Sequence, residues 1–129
     1  MDYQHIFNRV TEHLLTQRVQ ATNCDNETCS YRSPNGNRCA IGALIPDHLY
    51  DPDMEDNSVD AVTRLYPAVA RWLGVPEDED SRERGKPIRF LSQLQSIHDK
   101  VEPPHLWPAH LRKLATEWNL DPQATYTFE

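Results

Sequence analysis

A mainly α-helical single domain is the fold class that the sequence predicts, and three observations carry this prediction. Apolar residues recur at the three-to-four-residue spacing of amphipathic helices in separate stretches of the chain. Ten prolines and four glycines interrupt those stretches and supply stop signals between helices. The 129 residues suit one domain and are too few for two full ones. We expect four to five helices with one small β-hairpin at about residues 28–41, over a domain of 1–122 and a loose C-terminal tail of 123–129.

The first helix is predicted over residues 3–20, where Asp2 can cap the N-terminal turn. It is followed by turn-forming residues. The β-hairpin is then predicted between residues 28–32 and 38–41. Pro34 fixes its backbone φ for a turn, and the Asn35-Gly36 pair tolerates positive φ. A short helical turn begins at Gly42 and is stopped by Pro46.

Proline and glycine also delimit the remaining helices. Pro67 lies inside an apolar helical pattern, so it either kinks one helix or begins a second. That pattern includes Leu65, Tyr66 and Trp72 among its apolar positions. The predicted segments are Ser58–Gly74, Pro87–Val101 and Pro108–Leu120.

The composition excludes several classes of protein. A formal net charge of −7 argues against a general nucleic-acid binder, which needs an excess of Lys and Arg. No stretch approaches the roughly 18 apolar residues of a membrane span, and MDYQHIFNRV lacks the apolar centre of a signal peptide. With four glycines, neither a P-loop nor a dinucleotide-binding fingerprint is present. We therefore expect a cytoplasmic protein without a nucleotide cofactor.

The negative charge is concentrated in one quarter of the chain. Residues 51–83 contain ten acidic and three basic residues, whereas the rest of the chain is balanced. Charge runs of this kind are typical of solvated loops, but they can also form a face that steers association with a basic partner. The residues proposed for such a face are Asp51, Asp53, Glu55, Asp56, Glu77, Asp78, Glu79 and Asp80.

Three cysteines without an export signal indicate reduced thiols rather than a disulfide framework. One interpretation is a zinc site, although no pair has the tight spacing of a zinc knuckle. Its ligands would be Cys24, Cys29, Cys39 and His48. We expect no metal.

A second interpretation is a thiol enzyme. Cys39 precedes a predicted helix N-terminus, which lowers the pKa of a thiol through the helix dipole. His98 borders an apolar stripe and could act as the base, whereas helical geometry predicts that Asp99 points away. The third member would then be Asp47. The alternative is that Cys39 and His98 are packed core residues.

A third interpretation is a pocket for a small anionic ligand such as a nucleotide. Cations lie on the predicted hairpin and near the start of the Pro87 helix, where a helix N-terminus can also hold an anion. The residues proposed for it are Tyr31, Arg32, Arg38, Arg84 and Arg89. The alternative is that the later arginines offset neighbouring acids.

Two motifs resemble those of a group of small uncharacterised proteins from bacteriophages and prophages. They are CSYRSPNGNRCAIGALIPD at residues 29–47 and LQSIHD at residues 94–99, followed by Trp107 and a leucine-rich segment. The likeness spans about residues 6–120. It implies a phage or mobile-element product that works in a bacterial cytoplasm, and it carries no catalytic role over to this chain.

Taken together, the residues favour a non-catalytic accessory protein that binds and inhibits a host protein or defence complex through an acidic face. A host protein with a basic surface is the expected partner, without direct contact to nucleic acid or membrane. The thiol-dependent hydrolase or transferase and the nucleotide-binding protein remain the alternatives.

Overall fold

A computed structural model of the protein describes residues 1–22, 29–78 and 80–127. Over these residues it contains seven α-helices joined by turns and three short 3₁₀ helices. The α-helices are α1 (Tyr3–Gln17), α2 (Ala40–Leu44), α3 (Val59–Leu65), α4 (Pro67–Leu73), α5 (Gly85–Lys100), α6 (Trp107–Glu117) and α7 (Ala124–Thr127). The 3₁₀ helices are Pro52–Met54, Arg82–Arg84 and Pro104–Leu106. The mainly α-helical prediction is confirmed.

The core lies between the two longest helices and the elements that pack on them. Helix α5 contacts α2, α3 and α6, while α1 contacts α2, α6 and α7. Both helices turn one apolar stripe inward, as the sequence periodicity predicts. The largest fully buried side chains include Trp107, Phe7, Phe90, Leu14, Ile41, Leu91 and Leu94. No helix of the described residues is long and apolar enough to cross a membrane.

The ends of α1 follow from local hydrogen bonds. The Asp2 carboxylate accepts the backbone N–H of His5 at 3.0 Å, which caps the helix as predicted. The helix ends at Gln17 rather than at residue 20, because Arg18 adopts a left-handed φ of 59°. The Arg18 N–H then donates to the Leu14 carbonyl and closes the last turn.

The predicted hairpin is not formed, and the described residues contain no β-strand. Pairing across the turn at Gly36 is limited to the isolated bridge between Arg32 and Arg38, where the Ser33 N–H donates to the Asn37 carbonyl at 2.9 Å and the Cys39 N–H donates to the Tyr31 carbonyl at 3.2 Å. The reason is a competing acceptor: the backbone N–H groups of Tyr31 and Arg32 donate to the Glu55 carboxylate at 2.9 and 3.2 Å. In a longer ladder the Tyr31 N–H would donate to the Cys39 carbonyl, but that carbonyl accepts the Ala43 N–H of α2 at 3.0 Å. A side chain distant in sequence therefore takes the donor that the next step of the ladder would need.

Pro67 begins a second helix instead of kinking one. Helix α3 ends at Leu65, Tyr66 has a non-helical conformation, and Pro67 occupies the first turn of α4. Gly74 ends α4 with a φ of 83°, a left-handed conformation that glycine adopts without strain. The split changes the helical phase of the residues after Pro67.

The C-terminal segment, predicted as a loose tail, contains the short helix α7. Thr125 in this helix is fully buried and accepts a hydrogen bond from the Arg112 side chain at 2.9 Å. Residues 128–129 lie outside the described residues.

Candidate functional site

The acidic residues proposed for the binding face fall into two clusters along the chain, at residues 51–56 and 77–80. The first precedes helix α4 and the second follows it. Desolvation, and then the carboxylates of Asp51 and Asp53, raise the pKa of Tyr66, which lies at the N-terminal end of the helix. At the other end the Arg71 guanidinium pairs with Glu77 at 3.0 Å. A seven-residue helix is about 10 Å long. Carboxylates of both clusters therefore lie within a short distance of the same helix.

Most predicted acidic-face residues are accessible to solvent. Asp53, Asp56, Glu77, Asp78 and Asp80 are exposed, while Asp51 is half-buried. Glu79 lies outside the described residues.

Glu55 differs from the other acids because its carboxylate is saturated within the chain. Besides the N–H groups of Tyr31 and Arg32, it accepts the Tyr50 hydroxyl at 2.5 Å. It is half-buried. This glutamate fixes the 29–39 loop, so its oxygens are not free for a partner.

Exposed apolar side chains occur at the end of α3 and on α4. Leu65 is 63 % exposed and Trp72 is 58 % exposed, although the sequence periodicity includes both in a helical stripe. Ala68 is exposed one turn before Trp72 on α4. The Trp72 indole N–H donates to the Leu44 carbonyl at 2.8 Å, which holds the ring against the end of α2. The break at Pro67 is the sequence signal that could have indicated this exposure.

Cys39 is a helix cap rather than an activated thiol. Its sulfur accepts the Gly42 N–H at 3.2 Å at the start of α2, and the side chain is fully buried. Burial raises the pKa of Cys39 to about 12. The predicted lowering of this pKa is wrong, because desolvation of the thiolate exceeds the stabilisation from the helix N-terminus.

His98 uses both ring nitrogens in structural hydrogen bonds. Nε2 accepts the backbone N–H of Ala21 at 2.9 Å, which leaves Nδ1–H to donate to the Asp99 carboxylate at 2.7 Å. The expectation that Asp99 points away is therefore wrong. An imidazole bound on both sides in this way cannot accept a proton from Cys39 without breaking a buried hydrogen bond.

Asp47, the predicted third member of the triad, pairs with arginines, while Gln95 takes part in the network around His98. Asp47 is exposed and pairs with Arg32 at 2.9 Å and with Arg38 at 3.3 Å, on the hairpin-like turn. Gln95 donates to Asp99 at 2.9 Å and accepts the Ile41 N–H at 3.1 Å. Gln95 thus ties the start of α2 to α5, and the network around His98 holds elements together.

A possible metal-binding cluster differs from the predicted zinc set. Ligand atoms of Cys29, His98 and Asp99 lie within 4.8 Å of one another. A metal on Nδ1 would require the proton on Nε2, where the Ala21 N–H already points, so two donors would face each other. Burial, followed by the Asp99 charge, raises the pKa of Cys29 to about 11. These hydrogen bonds favour the metal-free network.

Of the other predicted zinc ligands, Cys39 and His48 do not join this cluster. Cys39 caps α2, and the His48 ring lies edge-on to Trp72 with centroids 6.4 Å apart. Cys24 lies outside the described residues.

The predicted anion-binding residues are held by separate partners. Arg84 is 4 % exposed and donates to the Pro76 carbonyl at 2.5 Å and to Thr63 at 2.8 Å. Arg32 donates to the Ile45 carbonyl at 2.8 Å. Their terminal nitrogens donate within the fold, whereas the buried Nε–H groups of both side chains make no hydrogen bond among the described residues.

Of the remaining members of that set, Tyr31 and Arg38 also have partners within the fold, whereas Arg89 contacts the ring of a tryptophan. Tyr31 is buried and donates its hydroxyl to the Asn57 carbonyl at 2.6 Å, while Arg38 pairs with Asp47. Arg89 lies against Trp118, with 5.0 Å between the guanidinium carbon and the ring centroid. The five residues therefore do not form the single pocket that the sequence interpretation requires.

No protein-family model, no curated protein and no solved structure matches this chain.

Proposed function

We propose that the protein is a non-catalytic binding protein that docks on a basic surface of a host protein or defence complex and inhibits it. The docking surface is the solvent side of α4 with the carboxylates at its two ends, here called the acidic-flanked face. Its residues are Leu65, Ala68 and Trp72, with Asp51, Asp53, Glu77 and Asp78 around them. The observation that carries the proposal is the pairing of exposed apolar side chains with acidic clusters at both ends of one short helix.

The two kinds of side chain have different roles in such a complex. Large apolar residues at the centre of an interface, tryptophan above all, supply most of the binding energy when they are desolvated. Charged residues around them mainly steer association and select the partner. Trp72 and Leu65 supply the apolar centre, and the surrounding carboxylates supply the selection for a positively charged target.

The state of the thiol and imidazole supports binding over catalysis. Cys39 is fully buried and both His98 nitrogens are engaged, so neither group offers a reactive atom to solvent. The resemblance to phage and prophage proteins supports a bacterial host protein as target and the bacterial cytoplasm as the place of action.

A site-specific crosslinking experiment tests the proposal. A photo-reactive amino acid placed at Ala68 would crosslink the partner in a bacterial lysate, and the same residue placed at the exposed Val19 serves as the control. We expect a crosslinked product from position 68 and none from position 19. The product should decrease in high salt, because the charges on this face are exposed and therefore screened.

Two variants separate the apolar from the acidic contribution. Trp72→Ala should weaken capture at low and high salt alike, whereas the double variant Asp53→Asn, Asp78→Asn should weaken it mainly at low salt. Asp121→Asn, an exposed acid outside the face, is the matched charge control. Equal crosslinking from positions 68 and 19, or capture unaffected by all these substitutions, would contradict the proposal.

A further inference from the structure

A second surface, between α5 and α6, has the opposite charge. The charged residues that line its two adjoining grooves are Lys86, Arg89 and Lys113, against the single acid Glu117. A groove of about 310 Å³ runs between the two helices, lined by Arg89 and Gln93 of α5 and by His110 and Lys113 of α6. A neighbouring groove of about 330 Å³ shares Arg89 and Gln93 and adds Trp118.

The cations of this groove are available to a ligand. Among the residues that the structure describes, neither Arg89 nor Lys113 has a carboxylate within ion-pair distance, and both are exposed. Trp118 orients the Arg89 guanidinium by a cation–π contact of 5.0 Å. That contact uses the face of the guanidinium and leaves its N–H groups free to donate in the plane.

Neutral hydrogen-bond donors lie beside the cations. The Gln93 side-chain oxygen accepts the Trp118 indole N–H at 2.6 Å, so its amide nitrogen is left to donate. Ser92 and Ser96 also line this groove, and within the described part of the chain neither hydroxyl makes a hydrogen bond. A guanidinium, an ammonium and several neutral donors around one cavity match the oxygens of a phosphate group.

Two further lining features restrict the ligand. Glu117 lines both grooves, and its carboxylate would repel a bare phosphate but accept hydrogen bonds from sugar hydroxyls. The buried side chains of Ile97 and Leu114 form an apolar part of the wall, against which a carbon skeleton can lie. A ligand that carries a phosphate on a hydroxylated carbon skeleton satisfies both.

We propose that the α5–α6 groove binds a sugar phosphate, either free or as the phosphorylated pentose of a mononucleotide. Arg89 and Lys113 hold the phosphate, and Glu117 accepts the sugar hydroxyls. The groove is separate from the acidic-flanked face, so ligand binding here does not depend on the proposed protein partner.

Titrations monitored by the three tryptophan indole N–H signals in NMR spectra test this site. The probes are ribose 5-phosphate, adenosine 5′-monophosphate, inorganic phosphate and ribose at millimolar concentrations. We expect both sugar phosphates to shift the Trp118 signal, inorganic phosphate to bind at least about tenfold more weakly, and ribose to have no effect. Trp72, on the acidic-flanked face, and the buried Trp107 should stay unshifted and serve as internal controls. Stronger binding of the mononucleotide than of ribose 5-phosphate identifies the nucleotide as the source.

Four variants, one of them a control, complete the test. Arg89→Gln and Lys113→Gln should each weaken binding of ribose 5-phosphate about tenfold, while Lys100→Gln, an exposed lysine on the same helix that does not line this groove, should not. Glu117→Gln should strengthen binding of inorganic phosphate and reduce the preference for the sugar. No shift of Trp118 with any phosphate, equal shifts of all three indoles, or equal losses in the Arg89 and Lys100 variants would overturn the proposal.

Discussion

Replacement of Glu55 by glutamine should destabilise the protein far more than its surface position in an acidic run suggests. One carboxylate oxygen accepts the Tyr31 N–H, and the other accepts the Arg32 N–H and the Tyr50 hydroxyl. Glutamine keeps the shape of the side chain but has a single acceptor oxygen. If that oxygen faces Tyr31, the amide nitrogen meets the Arg32 N–H, and two donors oppose each other.

The magnitude follows from these contacts. A hydrogen bond to a charged group contributes roughly 1.5–3 kcal/mol, and the variant loses one such bond while it weakens the others. Because Glu55 is half-buried, we expect a loss of about 2–3 kcal/mol in the free energy of unfolding. With a urea dependence of about 1–3 kcal/mol per molar, the unfolding midpoint should fall by roughly 0.7–3 M.

Urea unfolding monitored by circular dichroism gives this difference. The matched control is Asp53→Asn, an exposed acid in the same acidic run whose side chain makes no hydrogen bond within the described residues. It should change stability by no more than about 0.5 kcal/mol. Amide hydrogen exchange should also become faster at Tyr31 in the Glu55 variant. An unchanged midpoint with unchanged exchange at Tyr31 would refute the assignment of Glu55 as the acceptor that replaces the strand ladder.

Three further predictions concern buried polar groups. Burial raises the pKa of Cys39 to about 12, so iodoacetamide near neutral pH should leave this thiol unmodified in the native protein and alkylate it in denaturant. Peptide mass spectrometry measures the difference, and labelling in the native state would contradict the buried cap. Arg84→Met should lower the free energy of unfolding by about 2 kcal/mol, because it leaves the Pro76 carbonyl unpaired, whereas the exposed Arg82→Met should have little effect. Burial lowers the pKa of His13 below its ordinary 6.5, so the unfolded chain protonates this imidazole more readily than the folded chain does. The contribution of His13 to the free energy of unfolding should therefore be fully present above pH 6.5 and be lost as the pH falls below it. Urea unfolding of His13→Gln over the same pH range should show a smaller acid-side loss, and an identical loss would disprove this contribution.

Periodicity predicted the long helices correctly because each has one apolar face and a local start signal. Asp2 caps α1, and the stripe of α5 that includes Phe90 and Leu94 is buried as the spacing indicates. The hairpin prediction failed because its local turn signal at Asn35-Gly36 carries no information about Glu55, which lies some twenty residues away along the chain. Long-range acceptors of this kind are invisible to local pattern analysis.

The chemistry of single residues was less predictable than the helices. The position of Cys39 before a helix was correct, but its reactivity depends on burial, and burial depends on how α2 packs against α5. The periodicity did not predict the exposure of Trp72, because a helical pattern continued through Pro67 places this residue on the buried apolar stripe. The groove between α5 and α6 joins residues from two segments that the sequence does not link.

The sequence by itself determined the helical class, the approximate positions of the two longest helices and the concentration of acidic residues in 51–83. These properties depend on spacing, caps and composition within short windows. Tertiary structure alone decided which acid serves the fold, which tryptophan faces solvent and which arginines keep their donors free. Those properties depend on desolvation and on hydrogen-bond partners that only folding brings within about 3 Å of one another.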